Sequence, residues 1–267
     1  MRAVNTSAQP VYQDDLVTLY QGDMRDVLTQ IDCSEVGLVL ADPPYGQTSL
    51  RWDQWPDGWP WEVARCVPMS ASLWCFGSLR MFMEHADEFT KWAMAQDIVW
   101  EKHNGSSFHA DCFRRVHEQA VQFYRGPWGD IWQDVPTTDD AVKRQVRRKE
   151  RPTHMGAIED STYTSVDGGP KLMRSVIYVR SEHGRAVHPT QKPEGILEPL
   201  IRSSCRPGAV VLDPFAGSGS TLLTARKLGL RSIGIEQSPD YCQVIIDRLA
   251  QGLLIQSGTS GSQQVTP

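Results

Sequence analysis

The sequence predicts an α/β fold, a mainly parallel sheet with helices on both faces and one loop-rich insertion. Three observations predict it. Short apolar runs alternate with amphipathic stretches over residues 11–125 and again from His188, the pattern of strand–helix–strand units. Two predicted strands run directly into tight turns, Asp42 to Tyr45 and Asp213 to Gly219, and ligands of such sheets bind at the carboxyl ends of strands. Residues 126–187 are rich in Gly, Pro, Asp and Thr and lose apolar periodicity. A chain of 267 residues, 40% of them hydrophobic, can bury a full core without disulfides or metal staples.

The elements follow in order. Strands are expected at Val17–Tyr20, Val36–Leu40, Ser72–Phe76, Ile98–Trp100 and Ala120–Tyr124, with helices at Met24–Ile31 and Met81–Met94. The insertion is expected to hold some helix at 139–149 and an apolar run at Ser175–Val179. Beyond it, Glu194–Ser204 reads as a helix with Ile196, Leu197, Leu200 and Ile201 on one face. Ala209–Leu212 reads as a buried strand, Ser218–Leu228 as a helix, Arg231–Ile235 as a strand and Pro239–Leu254 as a helix. The organisation is therefore 11–126, an insertion at 127–187, 188–254, and a Ser/Gly/Gln-rich tail at 255–267 expected to be disordered. Trp52, Trp55, Trp59 and Trp61 cluster beside the first turn, where one or two of them could line a site.

Composition excludes several classes. No apolar run approaches the ~20 residues that cross a bilayer. The opening MRAVNTSAQPVYQDD has no apolar core of a secretory signal. The six cysteines, Cys33, Cys66, Cys75, Cys112, Cys205 and Cys242, form no CxxC pair and no zinc-ligand spacing with histidine. The expectation is reduced thiols in a cytoplasmic protein with no metal. The net charge of −5 is uneven: residues 101–190 carry +2 and the remainder −7. Lys143, Arg144, Arg147, Arg148, Lys149 and Arg151 crowd into nine residues, which makes either a solvated face or a phosphate-contacting element.

The two turns carry the chemistry. In Asp213-Pro214-Phe215-Ala216-Gly217-Ser218-Gly219-Ser220-Thr221 a strand turns sharply into a helix. The two glycines allow the turn and the close approach of a ligand. Glu236 follows Gly217 by 19 residues and ends the next strand, where an acid can accept hydrogen bonds from ribose hydroxyls. No Gly-Lys-Ser/Thr follows, so this is not a P-loop, and the third glycine of GxGxxG is missing. The segment suggests an adenosine-containing cofactor, with an ordinary strand–helix turn as the plainer reading. In Asp42-Pro43-Pro44-Tyr45 neither proline has an N–H, so the strand stops and the turn is stiff. It presents one carboxylate, one proline carbonyl and one aromatic ring together. A flipped base can stack on the ring while its exocyclic amine donates to the two acceptors. The plainer reading here is a proline-rich strand terminator.

Together the two turns resemble the DNA amino-methyltransferases that use S-adenosylmethionine. Their order, with the acid turn first, a variable segment next and the glycine turn last, resembles the circularly permuted β class. The resemblance covers roughly residues 16–126 and 188–250 and fades over 127–187, where that class carries its target-recognition region. It implies a Rossmann-like methyltransferase sheet. It also implies that Asp23 and Met24, in Leu19-Tyr20-Gln21-Gly22-Asp23-Met24, contact the cofactor, although Asp23 alone reads as a helix N-cap. The segment His188-Pro189-Thr190-Gln191-Lys192-Pro193 resembles the lead-in to the cofactor helix and adds Thr190, Gln191 and Lys192 to the cofactor set. Glu236, with Gln237 beside it, matches the ribose-binding acid, and Asp42 borders the cofactor as well as the base. Ile98 to Lys102 resembles a strand flanking the target-base pocket.

The implied activity is methyl transfer to the N6 amine of adenine in double-stranded DNA. Asp42, Pro43, Pro44 and Tyr45 would be catalytic, the basic run would lie on DNA phosphates, and a homodimer would suit a palindromic target. Relatives that methylate cytosine N4 more often carry serine where Asp42 stands. Two more distant readings are an RNA or protein amide methyltransferase, which would carry Asn in place of Asp42, and a catalytically idle DNA-binding module. No Pro-Cys context surrounds a cysteine, which argues against C5 chemistry.

Overall fold

The computed structural model describes residues 8–50, 52–106, 110–147, 162–182 and 191–259. The chain divides into two compact units, Met1–Asp134 with Ser175–Pro267, and Val135–Arg174.

The elements are β1 (Tyr12–Gln13), β2 (Val17–Gln21), α1 (Met24–Val27), β3 (Val36–Ala41), α2 (Trp59–Cys66), β4 (Ser72–Gly77), α3 (Leu79–Glu84), β5 (Ala93–Ser106) and β6 (Arg115–Tyr124). The second unit contributes β7 (Thr137–Thr138), β8 (Arg144–Arg147), β9 (Thr162–Ser165) and β10 (Lys171–Leu172). The chain returns through β11 (Val176–Tyr178), α4 (Glu194–Ser204), β12 (Val210–Asp213), α5 (Ser220–Lys227), β13 (Arg231–Glu236) and α6 (Pro239–Thr259).

Nine of the described strands form one sheet in the order β1-β2-β13-β12-β3-β4-β6-β5-β11. The run from β2 to β4 is parallel, while β1 and β6 are antiparallel to their neighbours. β4 and β12 are buried at every residue, as expected for strands covered on both faces. β13 shows the two faces directly. Ile233 and Ile235 join the core that holds Val27, Trp59, Val63 and Met81. Gly234 faces α5 on the other side, where a Cβ would fall 2.6 Å from Leu222. There Val17 and Leu19 pack with Leu222, Ile245 and Leu249.

The strand order reverses between β12 and β3. From β12 the chain continues to β13 on one side, and from β3 to β4 on the other. The crevice at such a switch point opens above the carboxyl ends of the strands, and both chemistry-bearing turns leave the sheet there.

Several expectations are corrected. The helix expected at Met24–Ile31 is one turn, and hydrogen-bonded turns take over after Val27. The helix expected at Met81–Met94 is α3 plus a 3-10 turn at Ala86–Phe89, because Ala93 and Met94 pair with Tyr124 and Phe123. Sheet pairing outcompetes helical periodicity there. The helix expected at 139–149 is absent over its described part; Arg144–Arg147 form β8, paired antiparallel with β9. The segments 127–134 and 175–182 lie in the first unit, not with the insertion. α6 runs to Thr259, past the expected tail boundary, and 260–267 lie outside the described residues. Cys33 and Cys66 form a disulfide, against the expectation of reduced thiols. Cys33 follows α1 and Cys66 ends α2; these segments pack together and bring the two Cα atoms to 5.7 Å. No helix among the described residues is long and apolar enough to cross a membrane.

Candidate active site

The acid turn begins where the apolar β3 ends. Ala41 is fully buried, Asp42 is half-buried, and Pro43 with Pro44 deny the chain the N–H groups that would extend the ladder. The Tyr45 hydroxyl donates to Asp42 Oδ1 at 2.7 Å. Burial, and then the charges of Asp42 and Glu118, push the Tyr45 hydroxyl well above its usual range, so it stays a donor. The loop beyond is tied down by one side chain. The buried Asp53 accepts the backbone N–H groups of Gly46 (2.9 Å), Gln47 (3.0 Å) and Thr48 (2.7 Å). Gln47 also reaches Ser78 Oγ at 2.8 Å.

Lys192 completes the turn from far along the chain. Its ammonium donates to Asp42 Oδ2 at 2.6 Å and lies 3.3 Å from Glu118 Oε2. Lys102, on β5, pairs with the other oxygen of Glu118. Asp42, Glu118 and Lys102 come to one edge because β4, beside β3, pairs with β6, and β6 with β5. Burial would lower the Lys192 ammonium, but Asp42 and Glu118 more than offset it and hold it raised. Burial would raise the Glu118 carboxyl, but Lys192 and Lys102 hold it down at about 2.

The glycine turn faces this cluster across the switch point. Gly217 and Gly219 sit in the left-handed region at φ 51° and 74°. A Cβ on Gly219 would meet Ile245 at 2.9 Å, so the turn is both conformationally and sterically reserved for glycine. The Gly217 N–H donates to Glu236 Oε2 and the Ser238 N–H to Oε1, both at 2.8 Å. These bonds fix the Glu236 carboxylate and leave lone pairs for further donors such as hydroxyls. Asp213 is buried at the end of β12, and its Oδ1 accepts the Phe215 N–H at 3.0 Å. Burial pushes its carboxyl up to about 7, against bonds from Thr221 and Phe215 that lower it, with Asp42 and Glu236 adding repulsion. Phe215 is half-buried, with its ring edge-on to the buried Trp59 at 5.3 Å.

The remaining expected residues scatter. Asp23 caps α1 and accepts from the Arg25 backbone at 2.9 Å and its guanidinium at 2.6 Å, while Gly22 donates to the Glu236 carbonyl at 2.9 Å. Asp23 thus follows directly on the residue bonded to Glu236, two positions past the end of β2, the strand parallel to β13. The Met24 side chain is buried in the core. Pro214, Ala216, Ser218 and Thr221 are buried, Ser220 opens α5, and Gln237 is exposed. Gln191 is half-buried. Thr190, Arg148, Lys149 and Arg151 lie outside the described residues. Lys143 and Arg144 are exposed, and Arg147 ends β8. Of the four tryptophans, Trp59 is core, Trp55 stacks on His85 at 4.0 Å, and Trp52 and Trp61 are exposed. Glu118 carries no signal in the sequence, since it acts on residues that spacing does not connect to it, and Asp53, though only five to seven residues from the N–H groups it holds, belongs to no motif that marks it.

A doubly wound sheet whose switch point joins a proline-locked acid turn to a glycine turn and a backbone-held carboxylate is the architecture of the Rossmann-like ligand-binding proteins. The chain belongs to the DNA methylase family of N6 and N4 amino-methyltransferases, which matches residues 36–247 and uses S-adenosylmethionine. The Type II methyltransferase M.ScaI of Streptomyces caespitosus is 27% identical over 258 residues, spanning 90% of this chain and 84% of that protein. M.HinfI of Haemophilus influenzae, also a Type II methyltransferase, is 27% identical over 271 residues, spanning 89% and 69%. The M1.HpyAVI–SAM complex superposes with TM-score 0.60 at 22% identity, covering 87% of this chain and all of that one. The cytosine-N4-specific PvuII DNA methyltransferase superposes with TM-score 0.64 at 16% identity, covering 90% and 88%. At these identities the two structures speak for the fold.

Proposed function

We propose that the chain methylates the N6 amine of adenine within a specific site of double-stranded DNA, on a base flipped out of the duplex. The observation that carries this reading is Asp42, a carboxylate fixed at the end of β3 and facing the glycine turn of β12 across the switch point. The donor site fits S-adenosylmethionine by its chemistry: a turn that only glycine can form, an aromatic Phe215, and a Glu236 carboxylate with acceptor capacity left for ribose hydroxyls. When bound, S-adenosylmethionine supplies an electrophilic methyl group on a sulfonium sulfur.

The chain's own residues do the rest. Asp42 and the Pro43 carbonyl accept the two hydrogens of the target amine and draw its lone pair out of conjugation with the ring. Tyr45 offers a half-exposed ring for the flipped base. The amine nitrogen must shed one proton after transfer, and Asp42 is the acceptor already bonded to it. Most of the acceleration comes from positioning and from fixed acceptors. A thiolate route to cytosine C5 is unsupported near the turn: Cys75 is buried, and burial pushes its thiol well up.

A second reading, cytosine-N4 methylation, uses the same geometry and is the stated specificity of the PvuII neighbour. Aspartate rather than serine at position 42 favours adenine. We further propose that the second unit, Val135–Arg174, forms the recognition region expected within 127–187, that its basic run holds phosphates, and that two copies meet on a palindromic site in the cytoplasm. The test is methylation of plasmid DNA in vitro, followed by sequencing that reports modified base and context. N6-methyladenine in a fixed context is expected. N4-methylcytosine would replace the first reading by the second, and unmodified DNA would remove both.

A further inference from the structure

Lys192 stands with the cofactor residues by resemblance, and its ammonium lies on the acid turn. It is 7% exposed, bonded to Asp42 Oδ2 at 2.6 Å and 3.3 Å from Glu118. Its Nζ sits 5.1 Å from the centre of the Phe76 ring and 5.9 Å from that of Tyr45. An ion taken out of water is costly unless partnered. Here four charges alternate in sign: Asp42, Lys192, Glu118 and Lys102.

We propose that Lys192, held by Glu118 and Lys102, is a positioning residue that fixes the Asp42 carboxylate for the target amine. This rests on the methyltransferase reading above and assigns Lys192 to the acceptor side of the reaction.

Lone pairs and torsions give the reason. A carboxylate has about four acceptor sites. Tyr45 takes one on Oδ1 and Lys192 one on Oδ2, so each oxygen keeps one for an amine hydrogen. Donors on both oxygens stop the carboxylate from rotating, and a preset acceptor needs no reorganisation as the amine changes hybridisation. Lys192 is itself well placed to act as a fixed strut. Pro193 follows it and is the N-cap of α4, which restricts the Lys192 backbone to an extended conformation. Glu118 stands on β6, opposite Trp100 of β5, and holds the ammonium as a second carboxylate at 3.3 Å. Glu118 Oε2 is buried and makes no well-formed hydrogen bond, so the charge of Lys192 is its compensation on that side.

The test compares wild type with Lys192→Met, Lys192→Arg, Glu118→Gln and Asp42→Ala, each checked for folding by thermal melt. Two quantities are read: affinity for S-adenosylmethionine by calorimetry, and the single-turnover methylation rate on saturating plasmid DNA. Lys192→Met is expected to keep cofactor affinity within about 3-fold and lose about 100-fold in rate, the scale of one fixed electrostatic partner. Lys192→Arg should restore about 10-fold of that loss, since it keeps the charge but changes the donor geometry. Glu118→Gln should fall between Lys192→Met and wild type. Lys192→Met with wild-type rate would overturn the proposal, as would a loss of cofactor affinity that accounts for its whole loss of rate. If Lys192→Met does not fold, a folded Glu118→Gln or Lys192→Arg decides: a slowed rate with intact cofactor affinity supports the role, and a Glu118→Gln rate equal to wild type refutes it. The underlying methyltransferase reading fails separately, if wild type transfers no methyl group or if Asp42→Ala remains active.

Discussion

Asp42 and Asp213 stand at the ends of adjacent parallel strands, yet their surroundings differ. Asp42 has an ammonium and a phenol on its oxygens, whereas Asp213 is buried with no cation beside it among the described residues, and its carboxyl is pushed up to about 7. A folded value above the unfolded one of about 3.9 means that the folded state binds this proton more tightly. The associated stability is fully present below about pH 4 and is lost as pH rises through about 7. Asp213→Asn should therefore gain on wild type between pH 5 and pH 8, by at most on the order of 3 kcal/mol. Denaturant midpoints at the two pH values check this, and parallel behaviour of the two proteins would contradict it. Tyr45→Ala should leave cofactor affinity intact and weaken capture of the flipped base by about 1–3 kcal/mol. Binding to DNA with an abasic gap opposite the target base, compared with intact duplex, separates that effect from loss of the Asp42 contact. At this scale the acid turn was legible, because two prolines beside an acid at the end of an apolar run have few structural uses. The Lys102–Glu118–Lys192 chain was not, because its members lie on separate elements up to 90 residues apart and meet only through sheet order.

At the scale of elements, the glycine turn is the sharpest case. Its φ values of 51° and 74° are the left-handed conformations that the two glycines imply. Gly217→Val puts a β-branched residue where L side chains are rarely found and where the Glu236 bond begins. Calorimetry should show loss of S-adenosylmethionine binding in a variant that still melts cooperatively; unchanged affinity would remove the cofactor from this turn. The buried strands β3, β4 and β12 were readable as continuous apolar runs. The helices were less so. Apolar spacing over Met81–Met94 fits a helix, but its last residues belong to β5, since their ladder satisfies the edge of β6 that a longer helix would leave unpaired. The β8–β9 pair was missed for a related reason, because a polar, basic strand carries no apolar alternation to read.

For the whole molecule, the question is how a chain of net charge −5 holds a polyanion. Attraction must be local, and the second unit presents Lys143 and Arg144 exposed at the start of the basic run. Replacing both by alanine should weaken binding to target and scrambled duplex about equally. It should also flatten the plot of log affinity against log salt by roughly one unit per lost phosphate contact. An unchanged slope would make the run a solvated face, and loss on the target alone would make these residues readers of bases. The two-part organisation was visible as a change in composition, but its borders were not. Residues 127–134 share the loop texture of the insertion while belonging to the first unit, and the apolar run at Ser175–Val179 joins the first unit's sheet as β11. The disulfide was likewise invisible, since Cys33 and Cys66 are 33 positions apart and meet only because α1 packs on α2. Whether Asp42 directs methyl transfer to an adenine amine is open to direct measurement. Wild type and Asp42→Ala are incubated with duplex DNA and methyl-labelled S-adenosylmethionine, and the DNA is then digested and its nucleosides weighed. Labelled N6-methyladenine is expected from wild type. Asp42→Ala should lose two to three orders of magnitude in rate, about 3–4 kcal/mol, with cofactor binding retained. Label in any other nucleoside, or an Asp42→Ala variant as fast as wild type, would contradict this assignment.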